Sequence, residues 1–265
     1  MLRKMTFVSC TQDEILPVLP AAPQTEPLLR AHLREETPFL PALPVGTTIS
    51  RQDSPDIPLL KAVGHRTYSF PGRLHAVRAP LLKALTPLQG SSEHVEVNLA
   101  KHGVSLAWIT LSDSGADGKR VDASGPLIEE YIRSVLPVTF SQGFLIPDDP
   151  EELRRLLTVC ALEDRYDIIC TSGGTGLTSR DITPEATQRV LDRELPGFAQ
   201  AMMAHSLQKT PKAVLSRSLA GVLAQSLIIN LPGSVKAVRE NLEAVLPALE
   251  HTVAKIHDDV SPCGG

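Results

Sequence analysis

The chain has 265 residues, with 26 Lys and Arg set against 30 Asp and Glu, giving a formal net charge of −4. That length allows one large domain or two modest ones, each able to bury a core, and the charge excludes a global basic field for nucleic acid. No stretch approaches the ~18 consecutive apolar residues that a membrane span needs.

The first hundred residues have their own texture. Twelve of the 22 prolines fall there, in a close series that begins at Pro17, Pro20 and Pro23. Such density argues against long helices and central strands. A short helix is expected around 27–36, with strands at 45–50, 66–70 and 74–78. Residues 1–95 therefore read as a small Pro-rich β or mixed region of unknown role, and 89–96 as a linker. Residues 1–100 carry +1 net charge and the remainder −5, and the acidic half suits a site that holds a divalent cation. His32, His65, His75 and His94 lack metal-like spacing, and Cys10, Cys160, Cys170 and Cys263 form no C-x-x-C pair. The apolar run from Met5 to Cys10 is too short for a signal peptide. Reduced thiols in a cytoplasmic protein are the expectation.

From Val104 the signals alternate between strand and helix, which argues for a mostly parallel sheet with helices on both faces, a three-layer α/β sandwich over 96–265. Val104 to Leu111 reads as a strand, followed by Ser112 and Asp113. Leu127, Ile128, Tyr131, Ile132 and Val135 then recur at helical spacing. A strand at 138–146 leads to Asp148 and to Asp149, which with Glu152 has the form of a helix capping box. Near the end, strands at 220–224 and 226–231 flank a tight turn, and Ser234 caps a last helix that Pro247 is expected to kink or split.

The most informative stretch follows the apolar run Tyr166 to Cys170. It reads Thr171-Ser172-Gly173-Gly174-Thr175-Gly176-Leu177-Thr178-Ser179-Arg180-Asp181-Ile182-Thr183-Pro184-Glu185-Ala186-Thr187. No Lys stands where a P-loop needs one, and the glycines do not fit the dinucleotide fingerprint. The order is strand, glycine-rich loop, acid, helix start, with Thr183 in the N-cap role. Four segments, at Ser112, Asp148, Gly173 and Asn230, each follow a strand, where open α/β sheets bind ligands. They offer N–H groups and hydroxyls for phosphate oxygens, and two carboxylates, Asp148 and Asp181, suited to Mg²⁺.

This signature resembles that of the molybdopterin adenylyltransferase family, the MogA/MoaB group. The resemblance runs from Val104 to about Asp259 and includes Leu145-Ile146-Pro147-Asp148-Asp149, Leu195-Pro196-Gly197-Phe198, Ser216-Arg217 and Asn230-Leu231-Pro232-Gly233. It implies a homotrimeric domain that transfers AMP from Mg-ATP to the terminal phosphate of molybdopterin, other molybdenum-cofactor biosynthesis proteins being possible partners. Asp148 and Asp181 map onto the family's catalytic pair, with Mg²⁺ held by Asp181 and Asp148. Substrate or nucleotide contacts are expected from Ser112, Asp113, Thr171, Ser172, Gly173, Gly174, Thr175, Gly176, Arg180, Ser216, Arg217, Asn230, Pro232 and Gly233. Plainer readings stand beside these: Asp113 as a turn residue, Arg180 as a solvated cation, Ser216 and Arg217 as a helix cap, Asn230 as a backbone-fixing residue. A molybdopterin-binding scaffold without turnover and a nucleotide pyrophosphatase on a related sheet are the competing functions.

Overall fold

The computed structural model describes residues 3–6, 9–20, 31–33, 43–68, 77–90, 95–113 and 122–258. The chain divides into two compact units, Met1–His102 and Gly103–Gly265. That division falls after the 95/96 boundary read from the sequence: Val95 and Glu96, the end of the expected 89–96 linker, belong to a strand of the first unit, Val95–Ala100.

In the first unit, β1 (Arg3–Thr6), β2 (Ile15–Pro20), β3 (Ala31–Leu33), β4 (Thr48–Arg51), β5 (Ser54–Tyr68), β6 (Val77–Ala84) and β7 (Val95–Ala100) form a closed barrel. Their order is β1-β3-β2-β6-β5-β4-β7. All pairs are antiparallel except β2 with β3. Leu16, Leu43, Ile49, Leu60, Ala62, Leu82, Ala84 and Val97 fill its core with Cys10. Two expectations are corrected here. The described part of the 27–36 helix, Ala31–Leu33, is a strand, because pairing on both sides overrides weak local propensity. Prolines also enter the ladder: Pro58 lies opposite Ser50, where the register shifts to accommodate its missing N–H. The remainder of that expected helix, His75, His94 and Cys263 lie outside the described residues.

The second unit begins with β8 (Val104–Leu111), α1 (Ser124–Arg133), β9 (Val138–Ile146) and α2 (Pro150–Thr158), which runs on into a π-helical turn, Val159–Glu163. It continues with β10 (Ile168–Ser172), α3 (Thr183–Gln188), the short β11 (Arg193–Glu194) and α4 (Pro196–Leu207). A 3₁₀ turn, Pro211–Leu215, leads to β12 (Ala220–Leu223), β13 (Ser226–Leu231) and α5 (Val235–Ile256). The sheet order is β11-β12-β13-β10-β8-β9, and the four strands from β13 to β9 are parallel.

Alternation along these strands explains the three layers. Leu106, Ile168, Cys170, Leu227 and Ile229 pack with Ile128 and Ile132 of α1, Met202 of α4, and Val238, Leu242, Val245 and Leu249 of α5. The intervening Ala107, Ile109, Ile169 and Ile228 are equally buried and point to the opposite face. There α2 packs on α3, with Leu153, Leu157 and Ala186 buried. Truncating a core Leu to Ala would cost about 2–5 kcal/mol, a large share of the ~5–15 kcal/mol that holds a domain folded. The expected break at Pro247 does not split α5: the helix passes through it, held by Val245 and Leu249 on the core side. Among the described residues, no helix is long and apolar enough to cross a membrane.

Candidate functional site

The carboxyl ends of β8, β9, β10 and β13 carry the loops that resemblance and residue chemistry singled out. They surround an open cavity of about 780 Å³, also lined by the starts of α1 and α5. Asp113 after β8, Asp148 after β9 and Asp181 in the loop after β10 all face it, with Arg180. The Arg180 guanidinium pairs with Asp113 and lies 3.7 Å from the Asp148 carboxylate. The Asp148 backbone N–H donates to Asp113 Oδ1 at 3.0 Å, so the two loops are tied. Asp148 is the enclosed member of this group, 17% exposed against 65% for Arg180. Burial pushes its carboxyl above the usual range, and the neighbouring Asp113 charge adds to the effect. The adjacent Asp149 does different work: its Oδ1 accepts the N–H groups of Glu151 and Glu152, both at 2.8 Å, and caps α2.

Asp181 is held in the opposite electrostatic sense. The Thr178 hydroxyl and backbone N–H donate to its Oδ2 at 2.7 and 2.8 Å, and these bonds, the hydroxyl foremost, hold the carboxyl below its usual range. The loop that carries it depends on two glycines. Gly173 has φ 107° and Gly174 φ 63°, and a Cβ on either would strike the Leu111 carbonyl or the Thr183 hydroxyl. Thr183 is therefore not the expected N-cap of α3; that position is Ile182. The Thr183 hydroxyl instead donates to the Gly173 carbonyl at 2.8 Å and fastens the loop from inside. Thr178 and Asp181 also line a second recess of about 420 Å³, bounded by the start of α2, by α3 and by Arg217.

Residues 107–251, more than half of the chain and all within the second unit, match the model of the probable molybdopterin binding domain family. The chain belongs to this family. A molybdopterin adenylyltransferase of Helicobacter pylori (strain J99) is 40% identical over 152 residues, covering 57% of this chain and 86% of that protein. Gephyrin of Dictyostelium discoideum is 41% identical over 158 residues, and there the match spans only 22% of the relative. The molybdopterin biosynthesis enzyme MoaB of Thermus thermophilus superposes with a TM-score of 0.55 at 43% identity, covering 59% of this chain and 98% of that one. The three-layer α/β fold of the second unit is the fold of these relatives.

Within this molybdopterin-binding family domain, the expected residues separate into two groups. Ser112, Asp113, Asp148, Ser172, Gly173, Gly174, Arg180, Asp181 and Gly233 line the large cavity. Thr171, Thr175, Gly176, Ser216, Arg217, Asn230 and Pro232 do not. Asn230 is fully buried, and its amide donates to the hydroxyls of Thr171 and Thr187 at 2.8 and 3.1 Å, so its bonds run to side chains of β10 and α3. The Pro232 carbonyl accepts from the Ser172 hydroxyl at 3.2 Å. The Ser216 hydroxyl lies 3.0 Å from that of Ser218. Sequence reasoning passed over Thr110, Asp122, Ser124, Leu145, Thr178 and Ser234, all of which line the cavity. Asp122 accepts the N–H groups of Ser124 and Gly125, each at 3.0 Å, and the Thr110 hydroxyl at 2.9 Å. An acid two residues before a helix start was the signal that would have found it.

Four carboxylates line this cavity, Asp113, Asp122, Asp148 and Asp181; a pair such as Asp148 and Asp181 suits Mg²⁺, which keeps waters and ligand phosphate oxygens around few protein groups. Among the described residues, no cluster of three or more His, Cys, Asp or Glu side chains offers a complete protein cage.

Proposed function

We propose that the second unit serves molybdenum cofactor biosynthesis as a molybdopterin adenylyltransferase, moving AMP from Mg-ATP to the terminal phosphate of molybdopterin. A phosphate oxygen of molybdopterin attacks the α-phosphorus of ATP, the bond to the bridging β-phosphate oxygen breaks, and pyrophosphate leaves. The observation that carries this reading is the meeting of Asp148 and Asp181, from different loops, in one cavity with the Gly173–Gly174 turn. The names of the relatives support the same activity.

Two phosphate-bearing reactants repel each other, so positioning and charge compensation are the main demands on the protein. Asp181 and Asp148 would hold Mg²⁺, whose charge screens the triphosphate when bound. Backbone N–H groups of the glycine turn other than that of Gly173, which donates to the Leu231 carbonyl at 3.2 Å, orient phosphate oxygens, and Arg180 supplies an exposed cation at the cavity rim. The nucleophile is already ionised near neutral pH, so a strong general base is not required. The same reading makes the chain a cytoplasmic homotrimer, checked by the native mass of the full chain.

The test is incubation of the full chain with molybdopterin and Mg-ATP, followed by mass analysis for adenylyl-molybdopterin and pyrophosphate. Molybdopterin binding without product would replace the enzyme with a scaffold. Nucleotide hydrolysis without a pterin requirement would replace it with a pyrophosphatase.

A further inference from the structure

Arg217 was expected among the substrate contacts, yet its side chain lies behind the loop that carries Asp181. Its Nε donates to the Gly176 carbonyl at 2.7 Å, one terminal nitrogen donates to the Asp181 carbonyl at 2.6 Å, and the other pairs with Glu185. Its own backbone N–H donates to the Thr175 carbonyl at 3.0 Å. One residue thus binds the loop at its start, at its end and at the helix that follows. The carbonyls of positions 176 and 181 bracket the turn that Thr178 and Asp181 close from within. Arg217 borders the 420 Å³ recess and is absent from the wall of the 780 Å³ cavity.

We infer that Arg217 is a positioning residue: a planar fork that holds the 176–181 turn at both ends and so fixes the direction in which the Asp181 carboxylate enters the large cavity. A guanidinium presents several donors in one rigid plane, and a pair of carbonyls about one turn apart matches that plane. Lysine, with a single ammonium, keeps the charge and loses the fork. Leu177, at the outer edge of the loop, is 66% exposed, so little packing holds the turn there. Small misplacement of a catalytic group is costly in rate even where binding survives.

The inference rests on the adenylyltransferase reading for its kinetic consequence and not for its structural one, and the test separates the two. Full-length Arg217→Ala and Arg217→Lys proteins are compared with wild type, with the fluorescence of the sole tryptophan, Trp108, checking that the second unit is folded. Hydrogen exchange of a peptide spanning 175–181 should be at least about tenfold faster in Arg217→Ala. Its kcat should fall about tenfold or more, while KM for ATP and for molybdopterin stays within about threefold. Arg217→Lys should lie between the two in both measurements. Unchanged exchange in Arg217→Ala would overturn the brace, whatever the reaction proves to be. A KM increase for either phosphate substrate at constant kcat would overturn it in favour of a direct contact. If wild type forms no adenylylated product, the exchange measurement decides alone.

Discussion

Thr178 donates both its backbone N–H and its hydroxyl to a single oxygen of the Asp181 carboxylate. A three-residue separation closes the turn on itself, so the carboxylate is oriented before any ligand arrives. Those bonds favour its ionised form. In Thr178→Val the backbone bond persists and the hydroxyl bond is lost. The carboxyl should then titrate at higher pH, and the acid limb of the kcat/KM profile should move upward, as read from initial rates across pH.

Removing the charge at Asp181 should have a larger effect. Asp181→Asn is expected to lower adenylyl transfer by at least about a hundredfold, while molybdopterin affinity, followed by Trp108 fluorescence, stays close to wild type. Wild-type turnover in this variant would remove Asp181 from the mechanism.

Asp148 behaves in the opposite way. Its folded-state pKa is raised by burial first and by the Asp113 charge second, so the folded protein holds this proton more tightly than the unfolded chain. Stability is therefore lost as pH rises from the ordinary carboxylate range through the raised value, and the penalty is complete above it. Asp148→Asn should melt at a higher temperature than wild type at neutral pH, and that gain should vanish in acid, although turnover is lost. Equal melting temperatures at neutral pH would contradict the burial argument.

The Thr183 hydroxyl is buried and bonded to the Gly173 carbonyl. Thr183→Val preserves shape and strands that carbonyl, a loss of about 1–3 kcal/mol. Urea unfolding followed at Trp108, which lies in β8 and reports on the second unit, gives the measurement.

Asp149 supplies a control next to the site. Asp149→Ala removes the cap of α2 and should cost about 0.5–2 kcal/mol of stability. Turnover should be retained, because the carboxylate is bonded to Glu151 and Glu152. Loss of activity in a folded Asp149→Ala protein would give this residue a part in the chemistry.

Local signals made much of the second unit legible. The run into Cys170, the glycines after it and the Asp149 cap are features of neighbouring residues, and each folds as its neighbours dictate. Contacts between distant residues were not legible. Arg217 meets Gly176 across 41 positions, and Asn230 meets Thr171 across 59. A polar residue beside a signature motif reads as a ligand contact until its partner is known. The barrel was hidden for a related reason: its prolines oppose strand formation locally, and only long-range pairing, such as Arg3 with Val97, outweighs them.

The turn from Thr178 to Asp181 is a partition one strand of chain thick, with a hollow on either side. A compound seated in the smaller hollow would press on the back of that partition from outside the larger one. If both reactants occupy the larger hollow, as the adenylyltransferase reading has it, inhibition by such a compound should persist at saturating ATP and molybdopterin.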